Sequence, residues 1–274
     1  MIKITSLGFA YNHHATLRNI NLKVAPGEMM ALLGPNGVGK STLLKLAAGV
    51  LKHSEGRIEL GGRDLRSLRR AAIAKQVAFV PQEVQMPFDF IVREMVFLGR
   101  TPHLGPIGTS HAYDWLVVNR ALVLTGVQPW ADRTYNSLSM GQRQKVHLAM
   151  ALAQEPRLLL LDEPTAHLDI SHQLEILDLL QSQNRHDRVT VIAAMHDLNL
   201  AAMYFDRLVL LHQGTILADG TPQEVLQEKH ISLAFNANVE IHHFDGELRV
   251  LVKKRGNFMT ADNQVSTEIE NRFA

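Results

Sequence analysis

A glycine-rich loop between a strand pattern and a helix pattern restricts the fold of this chain more than any other feature. Residues 34–41 read Gly-Pro-Asn-Gly-Val-Gly-Lys-Ser and follow the apolar run Met29–Leu33, which is typical of a buried strand. Apolar residues at helical spacing come directly after the loop. Glycines let the backbone curl so that several N–H groups point at one anion, and the helix adds the positive end of its dipole. With the pair Lys40-Ser41, this context predicts a phosphate-binding loop rather than a glycine turn that merely begins a helix.

The residues of this loop have distinct expected contacts with a nucleotide. Lys40 can place its charge between the β- and γ-phosphates, and the Ser41 hydroxyl can ligate Mg²⁺. The predicted nucleotide-binding residues are Gly34, Pro35, Asn36, Gly37, Val38, Gly39, Lys40, Ser41 and Thr42.

Two carboxylates follow a second buried-strand pattern. The run Leu158–Leu161 leads directly into Asp162 and Glu163. Ligands of an open parallel sheet bind at the carboxyl ends of its strands. We therefore expect Asp162 to hold Mg²⁺ through water and Glu163 to orient or deprotonate an attacking water. An isolated Asp-Glu pair is more often a solvated strand end, and the phosphate loop is what favours the catalytic interpretation.

Strand and helix patterns alternate along most of the chain, which predicts an α/β fold with a mainly parallel sheet covered on both faces. The predicted strands after Met29–Leu33 are Val77–Val80, Leu158–Leu161, Val189–Ala194, Leu208–Leu211 and Thr215–Ala218. The predicted helices are Ile91–Leu98, Tyr113–Leu124, Gln142–Ala153, Leu174–Leu180 and Leu198–Tyr204, with a Pro/Gly-rich loop at Thr101–Thr109. Residues 83–155 are therefore interpreted as a helical insertion in the α/β core.

The two ends of the chain carry weaker patterns. Alternation of apolar and polar residues at Ile2–Ile4 and Leu22–Val24 predicts half-exposed strands near the N-terminus. The tail predicts a short helix after Thr221-Pro222. It also predicts a hairpin that pairs Val239–His243 with Glu247–Val252 around Asp245-Gly246.

Composition excludes several classes of function. Lys and Arg number 28 and Asp and Glu 27, so the formal charge of +1 provides no basic field that would attract nucleic acid or anionic lipid. The absence of cysteine excludes disulfides, thiolate metal sites and thiol catalysis. No secretory signal is visible, and no apolar run approaches the roughly 20 residues that span a bilayer. Any membrane role is therefore expected to come through a partner.

The 14 histidines raise the question of a metal site. His13-His14 and His242-His243 are adjacent pairs, and neighbouring residues of a strand point to opposite faces. No pair of histidines four residues apart accompanies an acidic cluster. The sequence thus favours surface or turn histidines over metal ligands.

Five further motifs resemble those of one family, the ABC transporter ATP-binding subunits. The segment Leu138–Gln142 resembles the signature LSGGQ and begins a helix pattern shortly before the Asp-Glu strand. Gln82 resembles the Q-loop glutamine, and Ala166–Asp169 resembles the D-loop. Met195–Asp197 resembles the switch-histidine segment, and Tyr11 matches the aromatic residue that stacks on adenine. Each motif is weak alone, but their order and context identify the chain as a member from about Met1 to Val225.

The resemblance implies a fold, a mechanism and a set of site residues. The fold is a P-loop NTPase cassette with a mainly parallel core, an N-terminal antiparallel β part and a helical subdomain. Two copies pair head to tail, so that each ATP lies between the phosphate loop of one chain and the signature of the other. The implied catalytic residues are Glu163, His196 and Gln82, and the implied Mg²⁺ ligands are Ser41, Gln82 and Asp162. The residues implied to contact ATP across the pair are Ser139, Gly141, Gln142 and Asp169.

Two positions depart from the usual family pattern. Met140 stands where the signature usually has glycine, and Ala166 stands where serine is common in the D-loop. We expect Met140 to be tolerated because the adjacent Gly141 keeps the close approach of the backbone.

Three segments resemble importers of metal chelates in particular: Gly99–His103, Thr165–Ile170 and His196–Ala201. This group handles ferric siderophores, haem, vitamin B12 and, in some members, molybdate or tungstate. The implied partners are two transmembrane permease subunits and, through them, a periplasmic or extracellular substrate-binding protein. The implied location is peripheral, on the cytoplasmic face of the inner membrane.

The predicted organisation is one ATPase domain over residues 1–274. Its core comprises about 1–82 and 156–225, its helical subdomain 83–155, and a C-terminal helix and hairpin extend over 226–274.

Two alternatives are a soluble ABC ATPase of DNA repair or translation and a regulatory cassette without turnover. Proteins of the first class usually carry a long coiled-coil insertion or two cassettes in tandem. This chain has one cassette, a modest insertion and no net basic charge, which argues against that class. Intact Lys40, Asp162, Glu163 and His196 argue against the second.

Overall fold

The computed structural model describes residues 1–12, 14–82, 89–105, 109–244 and 247–253. Within these ranges the strands are β1 Ile2–Tyr11, β2 His14–Val24, β3 Met29–Leu33, β4 Glu55–Leu60, β5 Arg63–Asp64, β6 Val77–Val80, β7 Leu158–Asp162, β8 Thr190–Ala194, β9 Arg207–His212, β10 Thr215–Gly220, β11 Val239–Phe244 and β12 Glu247–Val252. The α-helices are α1 Lys40–Ala47, α2 Arg70–Ala74, α3 Val92–Phe97, α4 Ala112–Leu124, α5 Met140–Ala153, α6 Ile170–Asp187, α7 Leu198–Tyr204, α8 Pro222–Val225 and α9 Glu228–Phe235. Short 3₁₀ helices lie at Leu65–Ser67, Leu98–His103, Gln128–Trp130 and Tyr135–Ser137.

A six-stranded sheet with the order β10-β9-β3-β8-β7-β6 forms the centre of the fold. The pairs β9–β3, β3–β8, β8–β7 and β7–β6 are parallel, whereas the edge strand β10 pairs antiparallel with β9. Parallel strands end at the same edge of a sheet. The turns that follow β3, β6, β7 and β8 therefore lie along one edge.

Both faces of the central sheet are buried. In β3, Ala31 and Leu33 belong to one buried cluster, whereas Leu32 belongs to the other. The first cluster contains the apolar faces of α3 to α6, and the second contains α1 and the antiparallel sheet β2-β1-β4-β5. A strand that is buried on both faces consists of consecutive apolar residues, which is why Met29–Leu33 could be recognised from sequence.

A buried arginine connects the elements of the helical segment from α3 to α5 with one another. Arg100 is 2% exposed; its Nε donates to Asp114 Oδ1 at 2.9 Å, and its Nη1 donates to the carbonyl of Ala153 and to Glu155 Oε2, both at 2.8 Å. These bonds join the 3₁₀ helix after α3 to the start of α4 and the end of α5. A buried guanidinium that lost these partners would destabilise the segment by about 3–5 kcal/mol.

The C-terminal hairpin of β11 and β12 is attached to α7 by one side chain. The Val250 N–H donates to Asn199 Oδ1 at 2.7 Å, and Asn199 Nδ2 donates to the Val250 carbonyl at 3.3 Å. Asp197 caps the same helix by accepting the N–H groups of Asn199 and Leu200 at 2.8 and 2.9 Å. The hairpin is thereby connected to the turn that carries His196.

The predicted fold class is confirmed, with a mainly parallel central sheet, an antiparallel N-terminal sheet and a helical part. The predicted bounds of Met29–Leu33, Val77–Val80 and Leu198–Tyr204 match β3, β6 and α7. No helix in the described part of the chain is both long and apolar enough to cross a membrane.

Several predicted elements were too short, and some elements of the structure were not predicted. The predicted helix Leu174–Leu180 is the middle of α6, whose first turn is capped by Asp169. Arg188, in the left-handed conformation, follows its last residue. The predicted loop Thr101–Thr109 begins inside a 3₁₀ helix. The strand β4 and the helix α2 are additional elements. The pairing of β11 with β12 confirms the predicted hairpin, whose turn at Asp245-Gly246 lies outside the described residues.

The attachment of the hairpin predicts the behaviour of one variant. Asn199→Ala removes both side-chain bonds to Val250, so we expect amide hydrogen exchange at Val250 to accelerate roughly fivefold, as the loss of about 1 kcal/mol of local stability implies. Hydrogen exchange followed by mass spectrometry or NMR measures this. Asn184→Ala is the matched control, because it removes side-chain bonds to the carbonyls of Gly27 and Val189 instead. Unchanged exchange at Val250 in Asn199→Ala would show that other packing holds the hairpin.

Candidate functional site

The phosphate loop follows β3 and depends on glycine at defined positions. Gly34 and Gly39 have φ values of 143° and 112°, a region that L-residues rarely adopt. A Cβ at Gly39 would also lie 2.7 Å from Leu17 Cδ2, so the N-cap of α1 packs directly against β2. A Cβ at Gly37 would meet no atom within 4 Å, so this part of the loop faces open space.

Lys40 is buried at the start of α1, with 4% of its surface exposed. Its Nζ donates to the carbonyls of Gly34 at 2.8 Å and Pro35 at 3.3 Å. Burial lowers the pKa of Lys40, while the nearby Glu163 and Asp162 act in the opposite direction. The ammonium is thus held over the loop by neutral carbonyl groups.

Asp162 ends β7 beside the phosphate loop. The Ser41 hydroxyl donates to Asp162 Oδ1 at 2.7 Å. Burial is the largest influence on this carboxyl and raises its pKa, while the Ser41 bond lowers it. The structure therefore brings together two of the predicted Mg²⁺ ligands.

Glu163 is engaged through both of its carboxylate oxygens. Gln82, at the end of the turn after β6, donates Nε2 to Glu163 Oε2 at 2.7 Å. His196, in the turn after β8, pairs through Nε2 with Glu163 Oε1. The backbone of Glu163 has a φ of 54°, and its N–H donates to the Ala194 carbonyl at 3.2 Å. The other two predicted catalytic residues, Gln82 and His196, thus both contact Glu163.

A cavity of about 450 Å³ opens above the phosphate loop. Tyr11 lies at its rim with 45% of its surface exposed, and its ring packs edge-on against Phe9 at a centroid distance of 4.8 Å. The residues lining the cavity are Tyr11, Thr16, Asn36, Gly37, Gly39, Lys40, Ser41, Thr42, Gln82 and Glu163.

The signature residues start α5 and do not line this cavity. Ser139 and Gln142 form a reciprocal cap, since the Ser139 N–H donates to Gln142 Oε1 at 3.1 Å and the Gln142 N–H to Ser139 Oγ at 3.4 Å. Met140 is 60% exposed, whereas Gly141 is buried. Asp169, also outside the cavity lining, caps α6. The predicted site is therefore divided between two places on one chain.

Comparison with known proteins identifies the family. The family described as ABC transporter matches residues 17–166. The petrobactin import ATP-binding protein FpuC of Bacillus anthracis is 41% identical over 241 residues, which cover 88% of this chain and 89% of that protein. The chain belongs to the ABC transporter family.

Two further relatives cover comparable parts of this cassette. The iron(3+)-hydroxamate import ATP-binding protein FhuC of Bacillus subtilis is 38% identical over 86% of this chain and 87% of its own length. The cobalamin import ATP-binding protein BtuD of Halobacterium salinarum is 40% identical over 88% of this chain and 60% of its own length. ATP is thus the nucleotide, and the chain is an ABC-type ATPase.

Solved structures agree with this family. A protein described as a metal-chelate type ABC transporter, in an inward-facing conformation, has a TM-score of 0.80 at 27% identity and covers 94% of this chain and 99% of its own. The dimeric bacterial ABC cassette MJ0796 has a TM-score of 0.72 at 28% identity and covers 81% and 99%.

The burial of two histidines corrects the expectation of surface or turn positions. His53 and His147 are 8% and 4% exposed. His147, on the signature helix α5, forms a bond of 2.8 Å between its Nε2 and the Tyr135 hydroxyl, and its Nδ1 has no hydrogen-bond partner among the described residues. Burial, with a smaller influence of Arg143, lowers the pKa of His147 to about 4. The apolar residues around His147 on α5 gave no sequence signal of a buried polar pair. Of the adjacent histidine pairs discussed above, His13 lies outside the described residues.

His147 predicts how stability depends on pH. The folded chain keeps this ring neutral, whereas the unfolded chain protonates it below its ordinary pKa of 6.5. Stability from this group is thus present above pH 6.5 and is lost as pH falls towards 4, by about 2 kcal/mol between pH 7 and pH 5. Urea unfolding at both pH values measures the difference. His147→Leu is expected to be less stable at pH 7, since Tyr135 loses its partner, but to lose about 2 kcal/mol less on acidification.

The exposed His186 provides the control for this measurement. His186→Leu should retain the wild-type loss of stability between the two pH values. If His147→Leu retained that loss as well, His147 would not be the group responsible.

Proposed function

We propose that this chain is the ATP-binding and ATP-hydrolysing subunit of a bacterial or archaeal ABC importer for metal chelates, acting as a head-to-tail pair of identical chains. The division of the site carries this proposal. Lys40, Ser41 and Glu163 contact one cavity, whereas Ser139 and Asp169 lie outside it. A second copy turned head to tail would bring its signature over that cavity and complete it.

The cargo class is supported by the relatives. Their names refer to petrobactin, iron(3+)-hydroxamate and cobalamin import, and a structural neighbour is of the metal-chelate type. We propose the same broad class here, a ferric siderophore, haem, cobalamin or molybdate.

The phosphate loop and the carboxylate after β7 fit ATP with Mg²⁺. The loop offers a buried ammonium, backbone N–H groups and open space at Gly37. The oxygens of Ser41, Gln82 and Asp162 are the hard ligands that Mg²⁺ prefers, and these residues would hold it. Bound there, Mg²⁺ would neutralise charge on the β- and γ-phosphates.

Hydrolysis transfers the γ-phosphoryl group of ATP to water, releasing ADP and phosphate. Glu163 orients this water and accepts its proton. His196, which contacts Glu163 in this structure, would contact the γ-phosphate and respond to its loss. Gln82, which is bonded to the same carboxylate, would connect the site to the membrane subunit. Tyr11 at the rim of the cavity stacks on adenine.

The second copy contributes its signature residues Ser139, Gly141 and Gln142, together with Asp169. The N-terminal end of α5, capped by Ser139, presents its positive dipole end to the γ-phosphate of the other chain. Closing the pair on ATP and reopening it after hydrolysis then drives the membrane subunits between two states.

The assembly implied is two copies of this chain, two transmembrane permease subunits and a substrate-binding protein on the outer side, without nucleic acid. The pair would lie peripherally on the cytoplasmic face of the inner membrane. Residues 1–274 would form one ATPase domain, with a core, the helical subdomain 83–155 and the extension 226–274.

The alternatives are less well supported. The relatives reported above are import ATP-binding proteins and not proteins of DNA repair or translation. The contacts among Gln82, Glu163 and His196 favour a hydrolytic cassette over a regulatory one.

Glu163→Gln tests the catalytic assignment. Glutamine keeps the shape of the side chain but cannot accept the proton, so we expect normal ATP binding, stable ATP-dependent dimers and at least a hundredfold lower turnover (roughly 3 kcal/mol in the barrier). Steady-state phosphate release and size-exclusion chromatography measure these quantities. Asp197→Asn is the control, because Asp197 is the other acid beside His196 and caps α7 without contacting Glu163. A near-normal rate in Glu163→Gln would remove Glu163 from the catalytic role.

Co-purification tests the importer assignment. Expressed with a permease of the metal-chelate importer class from its own source genome, the chain is expected to be recovered from detergent-solubilised membranes in complex with that permease. Lys40→Ala should keep this association while losing ATP turnover, because Lys40 lies in the cavity and not on the outer surface. Recovery of the chain without the permease would contradict the importer assignment.

A further inference from the structure

His172, in the first turn of α6, holds the carboxylate of Asp169. Its ring Nδ1 lies 2.9 Å from Oδ1 and 2.8 Å from Oδ2 of Asp169, and its backbone N–H donates to Oδ1 at 2.9 Å. The side chain of Asp169 is 66% exposed and that of His172 is 34% exposed. Asp169 therefore faces outward, and His172 is the main residue that fixes its direction.

The other edge of the same ring contacts the signature helix. A Cβ built at Gly141 would lie 2.9 Å from Cδ2 and 3.1 Å from Cγ of His172. Carbon atoms in contact normally stay about 3.5–4.0 Å apart. The ring thus packs on the backbone of Gly141, in space that the side chain of any other residue would need.

A second contact between α5 and α6 accompanies the one between Gly141 and His172. One turn further along both helices, Lys145 forms an ion pair with Glu175. The starts of the two helices are therefore connected at two successive turns.

The loop before α6 is held by the residue next to His172. Gln173 Nε2 donates to the carbonyls of Thr165 at 3.2 Å and Leu168 at 3.1 Å. His167 within this loop has a φ of 60°, a conformation uncommon for a residue with a side chain. The first turn of α6 thus fixes the whole segment from Thr165 to Asp169.

We propose that His172 is a positioning residue that sets the spacing between the start of the signature helix and Asp169, so that both meet a second copy of the chain as one rigid surface. This role rests on the head-to-tail pairing proposed above. His172 itself lines no part of the ATP cavity. Its loss should therefore weaken pairing without changing how one chain binds ATP.

His172→Ala in the Glu163→Gln background tests this role. Removing the ring takes away the side-chain bonds to Asp169, leaves only backbone N–H donors, and opens a gap beside Gly141. We therefore expect ATP-dependent dimerisation to weaken roughly tenfold, as the loss of one or two such contacts implies. Sedimentation velocity over a range of protein concentrations measures the dimer. ATP affinity, measured with a fluorescent analogue at concentrations where the chain is monomeric, should stay within about twofold of the parent. In the chain with intact Glu163, kcat should fall by a similar factor.

Two matched variants separate positioning from general stability. His172→Asn places an amide nitrogen near the position of Nδ1 and an oxygen near that of Cδ2, so it should restore most of the dimerisation. His186→Ala removes a histidine from the same helix away from both motifs and should dimerise like the parent. The melting temperature of each variant is recorded alongside.

A second pair of variants tests the contact without reference to ATP. Gly141→Ala places a methyl group against the ring of His172 and should lower the melting temperature. Adding His172→Ala should recover part of that loss, because it removes the atoms that clash. An additive loss in the double variant would show that the two residues do not touch as described.

The outcomes distinguish the two proposals. If the Glu163→Gln parent does not dimerise with ATP, the pairing under Proposed function is wrong. If the parent dimerises and His172→Ala dimerises equally well, only the role of His172 is wrong. The role is also wrong if ATP affinity falls as much as dimerisation, or if His172→Asn fails to restore pairing.

Discussion

Parallel pairing places Leu32 of β3 and Asp162 of β7 on either side of Ala194 in β8. Because these strands run in the same direction, the turns that follow them leave the sheet at one edge. The bond from Ser41 to Asp162, which joins segments 121 residues apart, exists only in this register. A shift of one residue in β7 would move its apolar side chains to the opposite faces and turn Asp162 away from the loop.

Burial at this edge disfavours charge on both of its central groups. It lowers the pKa of Lys40 and raises that of Asp162. Lys40 has two carbonyl oxygens as partners and Asp162 has one hydroxyl, which are weaker partners than full counter-charges. A phosphate chain with its divalent cation would add an opposite charge in direct contact with each of the two groups. This is a physical reason why the edge suits a charged nucleotide better than a neutral ligand.

Local pattern was sufficient where a strand is buried on both faces, as in Met29–Leu33, and where a motif directly follows such a strand. It was insufficient for β4, in which exposed and buried residues mix and whose partner β1 lies far earlier in the sequence. The positions of the phosphate loop and of Glu163 could be predicted because each directly follows a strand that is recognisable from its apolar run. The contacts of Gln82 and His196 with opposite carboxylate oxygens of Glu163 could not be predicted, because they depend on how three separate turns meet. The burial of His147 likewise depends on long-range packing, which residue type alone does not report.

Two separate constraints require glycine at position 141, and the sequence pattern indicates only one of them. The family pattern explains the glycine at 141 by the close approach of a phosphate bound to a second chain. By the same reasoning, Met140 in place of the usual glycine is unexpected. The structure adds a constraint within the chain, since His172 occupies the space of a Cβ at Gly141. The side chain at 140 instead faces outward, since Met140 is 60% exposed. The constraint from within the chain therefore acts at 141 and not at 140, which is why a bulky side chain fits one position of the motif and not the next.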